Sequence, residues 1–164
     1  MLMGCASPPA QSTEGIVTSS QPTDQVESRD AQNPLPDEST VESKDYKATL
    51  VLRPYDKSRD LDRYHGFFGA QNVRIVTQIS ATWKGEEVHV PMSAYADLSN
   101  VLSFRIESMG NEAIIWIEGG DAGASYRCRI YIKEDQVLSR RVESPSFPEY
   151  HNETTQYTNF MPDN

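Results

Sequence analysis

The sequence predicts an all-β fold, mainly an antiparallel meander of roughly seven to eight strands forming a sandwich or a small barrel, preceded by a disordered tail. Three observations carry that expectation: apolar side chains recur with period two in successive short runs, Gly-, Asn- and Asp-bearing turns separate several of them, and no long amphipathic helix is legible. All eight Tyr, all five Phe and both Trp lie beyond residue 44, so the material for a hydrophobic core is confined to residues 44–164.

Taken in order, Tyr46, Ala48, Leu50 and Leu52 fall on one side of a first strand. From Val73 to Trp83 a second strand sets Val73, Ile75, Ile79, Ala81 and Trp83 against Arg74, Gln78, Ser80 and Thr82. Lys84-Gly85-Glu86 reads as a hairpin turn into Glu87 to Pro91. Ser93 to Asn100 lacks strand alternation and suits one helical turn, after which Leu102, Phe104 and Ile106 share a face of the next strand. Met109-Gly110-Asn111 supplies a turn, and Ala113 to Glu118, apolar on both faces, reads as a central strand covered on both sides. Beyond the small-residue loop Gly119 to Gly123, Tyr126, Cys128, Ile130 and Ile132 point inward from a further strand, with Arg127, Arg129, Tyr131 and Lys133 outward. Glu134-Asp135-Gln136 turns into Val137 to Val142, and a final strand is expected over Thr155 to Phe160.

Residues 6–43 differ in kind. They hold five prolines, no aromatic residue, and seven acidic side chains against the single basic Arg29, and such a segment cannot bury enough apolar surface to offset its chain entropy. It is expected to be a disordered, extended acidic tether. The whole chain, at 164 residues, carries a net charge of -9, which disfavours binding to nucleic-acid phosphates. No run of apolar residues is long enough to cross a bilayer as a helix. The two cysteines, Cys5 and Cys128, exclude a disulfide-rich scaffold and a cysteine-based zinc site.

The first residues, Met1-Leu2-Met3-Gly4-Cys5, resemble the lipobox of bacterial lipoproteins: Leu2, Gly4 and Cys5 match its outer, penultimate and acceptor positions. Met3 departs from the small residue preferred there, and the charged and hydrophobic regions that usually precede the box do not stand before it. The resemblance implies that residues 1–5 are a signal remnant ending in the lipidated Cys5, with acyl chains contributing ~0.8 kcal/mol per buried methylene to a membrane anchor. It also implies localisation in the cell envelope. Because Ala6, not Asp, follows the cysteine, the outer membrane facing the periplasm is the expected destination. Cys128 would then have no disulfide partner and is expected to be a buried, unreactive thiol.

Within the domain, candidate partner-binding residues are Asp121 in the Gly119 to Gly123 loop, Ser125 and Tyr126 beside it, and the cations Arg127, Arg129, Lys133, Arg140 and Arg141, taken as one outward basic row. An anionic lipid headgroup, lipopolysaccharide or glycan would suit that row. Tyr55, Tyr64, Phe67 and Phe68 are expected to cap the core. His65, His89 and His151 lack metal-ligand spacing, no nucleophile motif is present, and neither metal nor cofactor is expected. These features point to a non-enzymatic, lipid-anchored interaction module that meets another envelope protein or a glycan. Two alternatives remain: a lysozyme inhibitor inserting Gly123-Ala124-Ser125-Tyr126 into the enzyme's cleft, and a cell-wall glycan-acting enzyme using Asp121 with a second acid across a groove.

Overall fold

The computed structural model describes residues 35–60, 64–66, 72–120 and 122–158, without the side chains of 122 and 147–152. Cys5, the first part of the acidic spacer, Asp121, Phe67 and Phe68 lie outside the described residues.

Among the described residues, nine antiparallel strands build two sheets in simple sequence order. The first contains β1 (Glu38–Ser43), β2 (Tyr46–Pro54), β3 (Arg74–Trp83) and β4 (Glu86–Val88). The second contains β5 (Val101–Met109), β6 (Glu112–Gly119), β7 (Tyr126–Lys133), β8 (Gln136–Ser144) and β9 (Phe147–Gln156). The expected meander is therefore present, as a sandwich-like pair of sheets that does not close into a barrel. One core joins them: Leu50, Leu52 and Ile79 of the first sheet belong to the same buried cluster as Phe104, Ile115, Ile117, Cys128 and Ile130 of the second. Tyr46 fixes one corner, its hydroxyl donating to the Asn111 carbonyl at 2.6 Å and accepting from the Glu134 amide at 2.9 Å. The β3–β4 hairpin turns on Lys84 and Gly85, both at positive φ, the geometry of a two-residue type I′ loop.

The domain begins earlier than composition suggests. β1 lies in the segment read as tether, where all six of its residues pair with β2 and Val41 packs on the core. An edge strand needs few apolar residues because backbone pairing supplies much of its hold. At the other end, β9 starts eight residues before the expected Thr155.

Register shifts in the β2–β3, β5–β6, β7–β8 and β8–β9 ladders break the period-two reading. The β2–β3 register skips Thr77, so Val76 shares the core face with Ile79, while Ile75 turns to the face of Arg53. Leu102 is skipped between Val101 and Ser103 and is 41% exposed, not aligned with Phe104 and Ile106 as expected. Leu138 is skipped between Val137 and Ser139. A bulge inserts one residue and reverses the facing of everything beyond it. β6 also departs from expectation: Ala113, Ile115 and Ile117 are buried, but Ile114, Trp116 and Glu118 stay partly exposed, with Arg105 and Arg129 lying over Trp116 and Arg127 paired with Glu118.

Candidate functional site

Two ion clusters stand on opposite faces of the five-stranded sheet. Register explains their separation. Arg140 pairs with the inward Ile130, whereas its neighbour Arg141 pairs with the outward Arg129. The expected five-cation row is corrected accordingly: Arg140 points inward and is only 2% exposed, because successive residues of a strand face opposite ways.

On the inner side, the Arg140 guanidinium donates to Asp97 Oδ1 at 2.7 Å, to Glu153 Oε1 at 3.1 Å and to the Ser93 carbonyl at 3.1 Å. Thr155 also donates to Glu153 Oε1, at 2.7 Å. The other oxygens of the two carboxylates face His65, whose Nε2 lies 3.7 Å from Asp97 Oδ2 and 3.9 Å from Glu153 Oε2. His65 is fixed by its backbone: its amide donates to the Asp97 carbonyl at 2.7 Å and its carbonyl accepts from Ser99 at 3.0 Å. The following Gly66 has φ of +83°, and a Cβ there would come within 2.7 Å of the Ser99 carbonyl, so no other residue fits without displacing backbone. Cys128 shares this interior. Burial pushes its thiol up to about 11, as expected for an inert cysteine.

On the outer side, a rung crosses four strands: Arg105 on β5 faces Trp116 on β6, then Arg129 on β7, then Arg141 on β8. The Arg105 and Arg129 guanidiniums approach the Trp116 ring centre to 4.6 and 5.1 Å. The neighbouring rung places Glu118, Arg127 and Glu143 side by side. Glu143, 1% exposed, is surrounded by Arg129, by Arg141 Nε at 3.2 Å and by Arg127 Nη1 at 3.9 Å, while Arg127 Nε donates to Glu118 at 2.6 Å. Arg129 and Arg141 are like charges directly opposed across the ladder, a pairing that Glu143 makes tolerable.

The remaining predicted residues separate. Lys133 is exposed and reaches Glu112 at 3.8 Å. Ser125 is partly buried. Tyr126, expected at a partner surface, is 1% exposed and donates to the Ser99 carbonyl at 2.9 Å. Its side chain therefore faces the domain's own interior. Gly119 is used internally, since a Cβ there would lie 2.6 Å from the Tyr126 hydroxyl, whereas Gly123 is exposed with nothing within 4 Å of a Cβ. Asp97 and Glu153 are brought together by folding, and one guanidinium holds both. Sequence reasoning missed His65, Asp97 and Glu153 as a group. They come from three separate segments, and no local spacing announces them.

Compared with protein-family models, with curated proteins and with solved structures, the chain matches none.

Proposed function

We propose that the chain is a lipid-anchored protein of the bacterial envelope whose all-β domain serves as a non-enzymatic binding module, meeting an anionic glycan through the outer face of the five-stranded sheet. The anchor rests on Leu2, Gly4 and Cys5 and on the acidic, proline-bearing segment that follows. The observation that carries the binding surface is the cross-strand rung Arg105–Trp116–Arg129–Arg141. Adjacent strands lie ~4.8 Å apart, so the rung extends about 14 Å, enough to meet several sugar units of an extended polymer.

This face offers an anion more cations than carboxylates. Arg105, Arg127, Arg129 and Arg141 meet Glu107, Glu118 and Glu143 there, an excess of one positive charge in a chain whose net charge is -9. Guanidinium groups recognise the carboxylate and phosphate groups of uronic acids and sugar phosphates through paired hydrogen bonds. The Trp116 platform keeps two of these side chains extended, lowering the entropy lost on binding.

Two experiments test the reading. Expressed behind a lipoprotein leader in a Gram-negative host, the chain should incorporate labelled palmitate, and Cys5→Ser should abolish incorporation; an unlabelled wild type removes the anchor. In calorimetric titration with uronate-bearing oligosaccharides, the Arg105→Gln/Arg141→Gln protein should bind about tenfold more weakly. Equal affinity in the two proteins, or binding only to anionic vesicles, removes the glycan surface.

A further inference from the structure

We infer that His65, Asp97 and Glu153 form a binding site for a first-row divalent transition metal of the zinc or manganese type. Their donor atoms lie within 4.8 Å of one another. The His65 nitrogen stands 3.7 and 3.9 Å from the two carboxylate oxygens, beyond hydrogen-bond reach of either. An imidazolium paired with a carboxylate would close on one oxygen; this ring is held nearly midway between two and bonded to neither. By plane geometry, a point equidistant from three such atoms lies about 2.1 to 2.5 Å from each, which overlaps the lengths of zinc–imidazole and zinc–carboxylate bonds.

The supporting groups are arranged as a metal site requires. Each carboxylate spends one oxygen on Arg140, and Glu153 also accepts from Thr155, leaving the second oxygen of each directed toward His65. Such outer contacts orient ligands and hold them in place before the ion arrives. Arg140 is 2% exposed and fixed at three acceptors, so it defines the carboxylate positions without entering the space among the three donors.

Charge also leaves room for an ion. With a neutral imidazole, the two carboxylates and the one guanidinium sum to a single negative charge. A divalent cation would reverse this to a single positive charge, which a hydroxide or the anionic oxygen of a ligand would neutralise at a remaining coordination position. One nitrogen and two carboxylate donors suit zinc, manganese or iron, whereas calcium and magnesium favour all-oxygen sets. The three side chains are 26%, 35% and 38% exposed, so an ion has a route in from solvent.

The test is titration of the full-length, tag-free chain with Co2+, followed by visible absorption, and with Zn2+ by calorimetry. One ion per chain is expected, with d–d bands in the visible and no competition from millimolar Ca2+ or Mg2+. His65→Gln and Glu153→Gln should each weaken binding at least ~100-fold, and Thr155→Val, which removes only an orienting hydroxyl, about tenfold. Circular dichroism establishes that each variant is folded. For any that is not, the imidazole resonances of the unaltered chain decide: Zn2+ must shift those of His65 and leave those of His89 and His151 in place. Absence of stoichiometric binding, full affinity in folded His65→Gln, or a shift confined to the other histidines overturns the site.

Discussion

The inner and outer ion clusters are built on one plan with the signs reversed. Inside, a single buried cation, Arg140, is ringed by acids that reach solvent: Asp97 at 35% and Glu153 at 38% exposure. Outside, a single buried anion, Glu143, is ringed by Arg127, Arg129 and Arg141, exposed by 20–36%. In both, the expensive desolvation falls on the central ion while its partners keep contact with water. The difference is in number and setting. Arg140 has two carboxylate partners and borders the apolar interior; Glu143 has three guanidiniums on an open sheet face beside Trp116. The inner cluster is therefore short of compensation when a partner is lost, and the outer one has a partner to spare.

The sharpest way to break the symmetry is to strip the ring and leave the centre. Asp97→Asn/Glu153→Gln leaves Arg140 charged, buried and without an anion, and should cost about 3–5 kcal/mol in urea unfolding. Removing one guanidinium from the outer ring, as in Arg129→Gln, leaves Glu143 two partners and should cost only about 1 kcal/mol. Equal losses would show that the number of partners does not decide the cost.

Alkaline pH probes the apolar setting of the inner cluster next. The Cys128 thiol is pushed up to about 11 by burial from an ordinary value of 9.0. A folded-state value above the unfolded one means the protonated thiol's contribution is complete below pH 9 and is lost as pH rises toward 11, roughly 2–3 kcal/mol across that window. Stability followed by denaturant titration should fall over this interval, with the buried Tyr126 adding to the loss at higher pH. Cys128→Ala should flatten the portion between pH 9 and 11, and a curve identical to that of the unaltered chain would refute the assignment.

Removing the centre and keeping the ring should be milder on both faces. Arg140→Met and Glu143→Gln each leave partly exposed partners that can turn to water, and about 1–2 kcal/mol is expected for either in chemical denaturation. A loss as large as that of Asp97→Asn/Glu153→Gln would mean that the surrounding ions are less free to rehydrate than their exposure implies.

Much of both sheets was legible in the sequence, because Tyr46 to Leu52 in the first and Tyr126 to Ile132 in the second alternate without interruption and their inward residues are the ones found buried. What escaped was phase. Thr77, Leu102 and Leu138 each shift a ladder by one residue, and a bulge depends on the partner strand, not on local composition. The inward course of Arg140 had a usable signal: it lies two residues from Val142 and so shares that residue's face, whereas Arg141 cannot. The inner cluster had none. His65 belongs to a loop, Asp97 follows a short helical turn and Glu153 lies on the last strand, so their meeting is a property of topology. The outer rung was partly readable, since Arg129 and Arg141 were expected outward, but Arg105 and Trp116 joined it only through cross-strand register.

The smallest change bears on what the outer cluster is for. Arg105 is 42% exposed, stacks on Trp116 and reaches Glu107 at 3.3 Å, yet it makes no contact with the buried Glu143 among the described ion pairs. Its surface pairing and ring contact together contribute about 1 kcal/mol or less, so Arg105→Gln should leave thermal unfolding nearly unchanged. If the rung exists only to keep Glu143 buried, that is the whole effect. If it meets an anionic glycan, the same substitution should weaken binding several-fold and lower its salt dependence, since one fewer cation then faces the ligand's charges. A protein equally stable but weaker in binding separates recognition from structural support, and a protein weakened in neither assigns the outer arginines to holding the sheet.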